Sequence, residues 1–185
     1  LASGPSAQVA AVSAASPFFE LQLVNEPRLS VGDTLKVRAY LTPAGFSLAG
    51  ASLYLSFADS ALTLLPADSA GTQPFRPDTT LAATVLQNSL QPQRTDQINV
   101  SLGDLALTPG VEPVALGEVW FSTGRDTATT ISIDDEPEVN RRSAVVEAAT
   151  GEWIRPFIAV QPTRVEIRDF KVQGKVLLEG RPAGR

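Results

Sequence analysis

The sequence predicts an all-β chain, a two-sheet β-sandwich of the jelly-roll type, and three observations carry that prediction. Two-residue alternation runs through residues 31–67. Short strand-like runs recur at roughly 8–15 residues with turn chemistry between them. No stretch shows helical periodicity for more than a turn or two. Side chains of a strand point alternately to opposite faces, so alternation marks one buried and one wet face. In Thr34–Leu41 the apolar set is Leu35, Val37, Ala39 and Leu41; in Ala51–Phe57 it is Ala51, Leu53, Leu55 and Phe57. Ser52, Tyr54 and Ser56 take the other face of the second strand.

Around this centre the chain reads in order. Residues 1–16, rich in Ala and Ser without a sustained period, form a leader that is flexible or orders on a neighbouring subunit. Phe18–Val24 is a strand with Phe19, Leu21 and Leu23 inward, interrupted by Asn25-Glu26-Pro27-Arg28. Gly32-Asp33 and Pro43-Ala44-Gly45 are turns, and Ala58-Asp59-Ser60 returns Leu62 and Leu64 to the core. Residues 67–77 read as a loop, Leu81–Leu86 as a strand, Asn88–Arg94 as a loop and Gln97–Leu102 as a strand. After a long connection over Gly103–Pro113 come strands at Val114–Ser122 and Thr127–Ile133. Ala144–Glu147 and Trp153–Val160 predict a hairpin around Thr150-Gly151, and Thr163–Arg168 alternates again. The sandwich therefore spans 17–168, with additional strands over 144–168. Residues 169–185, with Lys171, Lys175, Arg181 and Arg185, are a terminal strand segment or the start of a following module.

Composition narrows the function. The 185 residues carry 15 Lys+Arg against 20 Asp+Glu, so a basic nucleic-acid footprint is absent. There is no Cys and no His, which removes disulfides, Cys- or His-ligated zinc and serine- or cysteine-type triads. No apolar run approaches the ~20 residues that span a bilayer, so membrane insertion is not expected. The chain starts at Leu1 rather than Met. We read it as a secreted or cell-surface bacterial protein, processed or excised from a longer precursor. No carboxylate pair is set apart in an apolar pocket, and the chain reads as non-enzymatic.

Five stretches, VGDTLKVRAYL, LAGASLYLSFADSALTLLPA, INVSL, LGEVWFSTG and TATTISID, follow one another over residues 18–135. In order and wording they resemble the cohesin modules of bacterial scaffolding proteins. One departure is visible: the family's Tyr-Asp-Pro appears here as Phe57-Ala58-Asp59-Ser60. The resemblance implies a nine-stranded jelly roll related to carbohydrate-binding modules. It also implies protein capture, as cohesins capture dockerins, on a flat face made by the third, fifth, sixth and eighth strands. Those correspond to Ala49–Phe57, Leu81–Leu86, Gln97–Leu102 and Gly117–Ser122.

The resemblance implies that the third and eighth strands are neighbours in that sheet, and alternation then sets Tyr54 beside Trp120 on one solvent face. Ser52, Asn99, Ser101 and Glu118 would surround them, and an aromatic pair among small polar residues is the composition of an interaction surface. Folding back of Trp153–Ile167 over the pair would instead make it core. The acidic run Asp134, Asp135, Glu136 and Glu138 offers oxygens of the kind calcium prefers, without the spacing of an EF-hand. It reads first as a solvated loop, and no cofactor is otherwise expected. Asn99-Val100-Ser101 matches a glycosylation acceptor but lies within a strand. Three functions follow: a scaffolding module that binds a dockerin-like protein, a subunit that joins copies of itself by strand addition through its terminal segments, and a polysaccharide binder using Tyr54 and Trp120.

Overall fold

The computed structural model describes residues 16–24, 28–136, 141–155, 157–158 and 163–168. The leader and the 169–185 segment therefore lie outside the described residues, Ser16 excepted. Among the described residues every regular element is a strand: β1 (Phe18–Leu23), β2 (Arg28–Ser30), β3 (Thr34–Thr42), β4 (Leu48–Phe57), β5 (Leu62–Leu65), β6 (Phe75–Pro77), β7 (Thr84–Leu90) and β8 (Gln97–Leu107). They continue with β9 (Val114–Thr123), β10 (Thr127–Ile133), β11 (Asp135–Glu136), β12 (Arg141–Arg142), β13 (Ala144–Glu147), β14 (Trp153–Ile154), β15 (Phe157–Ile158) and β16 (Thr163–Arg168).

Two sheets face each other. One is six-stranded, ordered β15-β1-β3-β9-β5, with β6 also paired to β9. The other is eight-stranded and built on β4, whose one side pairs with β8, itself paired to β7. Along the other side of β4, β13 pairs with Leu48–Ser52 and β10 with Leu55–Phe57. β14 flanks β13, while β16 and then β2 flank β10. The turn at Ala58-Asp59-Ser60 thus carries the chain from one sheet to the other, closed by Ala61 and Leu62 N–H donation to the Ala58 carbonyl at 3.1 and 3.0 Å.

The alternating residues build the core between the sheets. Leu35, Val37, Ala39 and Leu41 from β3 meet Ala51, Leu53, Leu55 and Phe57 from β4, all buried. Phe57 and Phe121, one from each sheet, stand 4.8 Å apart at 56°, a favourable tilted pair. Burying so many full aliphatic and aromatic side chains, each worth about 1.5–3 kcal/mol, is what holds the layers together.

The β10–β13 seam beside β4 would leave main-chain groups unpaired, and side chains close it. Tyr54 accepts from the Asp134 N–H at 2.8 Å and donates its own N–H to Ser143 Oγ at 3.1 Å. Ser143 Oγ in turn donates to the Asp134 carbonyl at 3.0 Å. A buried main-chain donor left without a partner would cost about 1–3 kcal/mol, so Ser143 substitutes for a missing strand residue.

Four expectations shift. The strand read at Leu81–Leu86 lies at β7, extending into the expected loop, and β8 continues beyond Leu102 into the expected connection. β6 arises inside the expected loop over 67–77, and β2 begins at Arg28 within the expected interruption. β7 is an edge strand whose inward Asn88 binds the main chain of Phe75 through both amide atoms, at 2.9 and 2.7 Å. A polar residue on the buried face hides the strand from any search for apolar alternation.

One buried hydroxyl is out of place. Thr129 Oγ1, on the inner face of β10 opposite Val165, has no hydrogen-bond partner. An apolar isostere removes that desolvation penalty. Thr129→Val is expected to raise stability by about 1 kcal/mol, read as a shift of the denaturant midpoint at unchanged slope.

Candidate protein-interaction face

The outer face of the eight-stranded sheet collects most of the residues expected at a binding surface. Register places Ser52 opposite Ser101 and Tyr54 opposite Asn99 on β4 and β8. The serine hydroxyls are 3.0 Å apart, and Asn99 Nδ2 donates to Gln91 Oε1 at 2.6 Å. Ser52 and Asn99 are buried and Tyr54 is half-buried, so this face is closely filled by its own small side chains. The acceptor-like Asn99 is accordingly taken up within the sheet.

Toward one end the face hollows into a trough of about 470 Å³. Gly50 and Gly103 lie opposite each other on β4 and β8 and form its floor with Ser52 and Ser101. Leu86 and Trp153, 69% and 66% exposed, rise at its two sides, with Val146 beside Trp153. Sequence reasoning did not single out Leu86 or Trp153 for this role. Their signal is that each is a large apolar side chain near a strand end, and only the sheet order brings them to one trough.

Trp120 and Glu118 are elsewhere. β9, which carries them, lies in the six-stranded sheet between β3 and the β5–β6 pair. The expected juxtaposition of Tyr54 and Trp120 is therefore incorrect: they occupy outer faces on opposite sides of the sandwich. Alternation correctly turned both outward, but β9 pairs with β3 rather than with β4. The strands actually flanking β4 are β8, β10 and β13. Nor do the described residues of the segment Trp153–Ile167 fold over Tyr54. Its described strands extend the sheets sideways, β14 beside β13, β16 beside β10 and β15 beside β1.

On the six-stranded sheet Trp120 is bound into a network. Its Nε1 donates to Glu118 Oε2 at 2.7 Å, and Glu118 Oε1 accepts from Arg38 Nε at 2.9 Å. Lys36 Nζ and Arg76 Cζ lie 4.1 and 4.2 Å from the ring centroid, within cation–π range. Arg76 also donates to the carbonyls of Leu65, at 2.9 Å, and Pro66. This network spans the junction where β5 and β6 share β9. Burial pushes the Glu118 carboxyl up, but hydrogen bonds from Trp120 and Arg38 and the charges of Arg38 and Lys36 outweigh it, holding it below its ordinary range.

Among the described residues, the members of the acidic run do not gather into a site. Asp134 is buried in the β10–β13 seam with its carboxylate accepting from Ser56 Oγ at 2.7 Å, and Asp135 pairs with Arg155 at 3.4 Å. Glu136 pairs through its main chain with Arg141, and Glu138 lies outside the described residues. No group of three or more metal-ligating side chains occurs among the described residues.

No family model and no curated protein sequence matches the chain. Solved structures do match in shape. A cohesin module from a family 33 glycoside hydrolase of Clostridium perfringens ATCC13124 superposes with a TM-score of 0.61 at 8% identity, covering 84% of this chain and 98% of that one. The chain has a cohesin-like fold. The second type II cohesin module of the ScaA adaptor scaffoldin of Acetivibrio cellulolyticus gives 0.57 at 15% identity over 80% and 87% of the two chains. The third ScaB cohesin of R. flavefaciens, solved in complex with a group 1 dockerin, gives 0.54 at 8% identity over 85% and 99%. The cohesin-like sheet order is what separates Tyr54 from Trp120 and sets β7, β8 and β4 side by side.

Proposed function

We propose that this cohesin-like chain is a non-enzymatic, extracellular protein-interaction module. It binds a dockerin-like partner on the outer face of its eight-stranded sheet. The observation that supports this most directly is the trough between Leu86 and Trp153, floored by Gly50, Ser52, Ser101 and Gly103. Exposed large apolar groups are energetically unfavourable on an isolated surface, and an aromatic beside a small-residue floor accepts a partner's apolar side chain. Ser52, Tyr54, Asn99 and Ser101 form the polar remainder of the same face. Trp120 and Glu118 belong in this reading to the opposite sheet and its stability.

Titration calorimetry against dockerin modules, including that of the R. flavefaciens complex, tests the proposal. Trp153→Asp and Ser101→Arg alter an exposed wall and the floor. Each is expected to weaken binding at least about 100-fold, the range of an interface hot spot, while thermal stability changes little for Trp153→Asp. Binding that survives both substitutions would place the partner elsewhere, and failure of every dockerin to bind would remove the dockerin-like class.

A further inference from the structure

We propose, on the reading of the trough as the binding site, that Ser143 is its positioning residue: the hydroxyl pins the register of β13 on β4 and so turns Trp153 outward. The side of β4 away from β8 is shared by two strands, β10 at Leu55–Phe57 and β13 at Leu48–Ser52. The chain leaves β10 at Asp134 and returns at Ser143 to begin β13. These two residues meet at the gap beside Leu53 and Tyr54, between the two ladders.

The side chains of β13 do not specify its register. In most strands a slip of one residue carries apolar groups to the wet face and polar ones to the core, and that cost selects the pairing. Ala144, Val145 and Val146 are apolar on both faces, and the β4 residues opposite them, Ser52, Ala51 and Gly50, are all small. A slip that exchanged the buried Val145 for Val146 would leave the core volume unchanged. β14 has the same ambiguity. Ile154, opposite Val145, packs against the core, while Trp153, opposite Val146, is 66% exposed. Hydrophobicity alone does not choose this order, since burying the indole in place of Ile154 would remove more apolar surface from water. The far end of the ladder is no firm reference either. Its register shifts between Val146 and Glu147, before the Ala148 N–H reaches the Ser47 carbonyl at 2.8 Å.

A directional contact makes the choice that size and polarity leave open. Ser143 is 1% exposed, and its Oγ accepts the Tyr54 N–H at 3.1 Å while donating to the Asp134 carbonyl at 3.0 Å. Its own N–H donates to the same carbonyl at 3.2 Å. Moving β13 by one residue carries the hydroxyl about 3.3 Å along β4. That is beyond hydrogen-bond reach and takes the Ser143 acceptor away from the Tyr54 main-chain donor. Ser143 stands directly before Ala144, where the regular ladder starts, and Trp153 lies across from Val146, where it ends. One hydroxyl thus sets whether the trough is walled by an indole or by Ile154.

Fluorine NMR of the full chain labelled with fluorotryptophan reads this directly. The sequence holds 2 Trp, and Trp153→Phe assigns the Trp153 signal. The parent is expected to give one Trp153 signal that shifts between light and heavy water, the mark of an exposed indole. Ser143→Ala should split that signal or move it to a solvent-shielded position, and leave the Trp120 signal where it is. Ser143→Thr, which keeps the hydroxyl, should keep the parent signal. A Ser143→Ala chain that loses stability in urea but retains a single exposed Trp153 signal overturns the proposal, because a merely structural hydroxyl would behave in that way. Should Ser143→Ala fail to fold, hydrogen exchange of the parent decides. The Tyr54 amide must then be protected alongside the amides of β13, and a Tyr54 amide that exchanges freely while β13 stays protected counts against the pin. Neither measurement uses a partner. Failure of every dockerin to bind would therefore remove the trough as a dockerin site and leave the register assignment to Ser143 standing.

Discussion

Gly117→Ala is expected to cost about 4 kcal/mol or to prevent folding, the tail of the single-substitution range. Two effects combine at this position. Gly117 holds φ at +150°, a conformation that residues with a Cβ rarely adopt. A Cβ there would lie 2.3 Å from the Arg76 carbonyl oxygen and 2.6 Å from the ring of Phe75. Neither neighbour can yield cheaply, because Arg76 belongs to the β6–β9 ladder and Phe75 is fully buried. The register of β3 against β9 slips at this point, Ala39 opposing Gly117 and Tyr40 opposing Ala115, which is the irregularity that lets β6 come close. Gly45→Ala is the control. Gly45 has φ +90° with nothing within 4 Å of its Cβ position, so that variant should lose only about 1–2 kcal/mol of backbone strain. Equal losses for the two in urea titrations would show that the clash at Gly117 relaxes.

Much of this architecture is legible in the sequence, and the illegible parts share a cause. β3 and β4 alternate because each has one face on the core, and their apolar sets are the ones found buried. β6 escapes notice because it has three residues including Pro77, though the isolated Phe75 in a polar stretch marks it. β7 escapes correct placement because Asn88 points inward to cap Phe75. The binding face fails for a different reason. Alternation tells which side of its own strand Trp120 occupies, but membership of a sheet is set by non-local pairing. Tyr54 and Trp120 both face out, and sequence alone does not reveal that the outward directions are opposite. Leu86 and Trp153 were invisible as a pair because they meet only through β7-β8-β4-β13-β14 order.

Trp120→Ala is expected to lower stability by about 2–3 kcal/mol and to leave partner capture unchanged. Deleting the indole removes packing at the β5–β6 junction, two cation–π contacts and the donor to Glu118. Arg76 would keep its carbonyl acceptors at Leu65 and Pro66 but lose the ring against which it is held. The pH dependence distinguishes this from simple loss of packing. The Glu118 carboxyl sits below its ordinary range in the folded state, so its contribution is present above the unfolded-state value and lost as pH falls through the folded one. Without the Trp120 donor the folded carboxyl moves back up and contributes less. The stability gap between parent and variant should therefore narrow on acidification, measured by urea midpoints from neutral pH down through the carboxylate range. In a Glu118→Gln background that narrowing should disappear. A gap constant with pH would reduce Trp120 to packing alone. Lost partner capture at unchanged stability would return it to the binding surface and set the functional face on the six-stranded sheet.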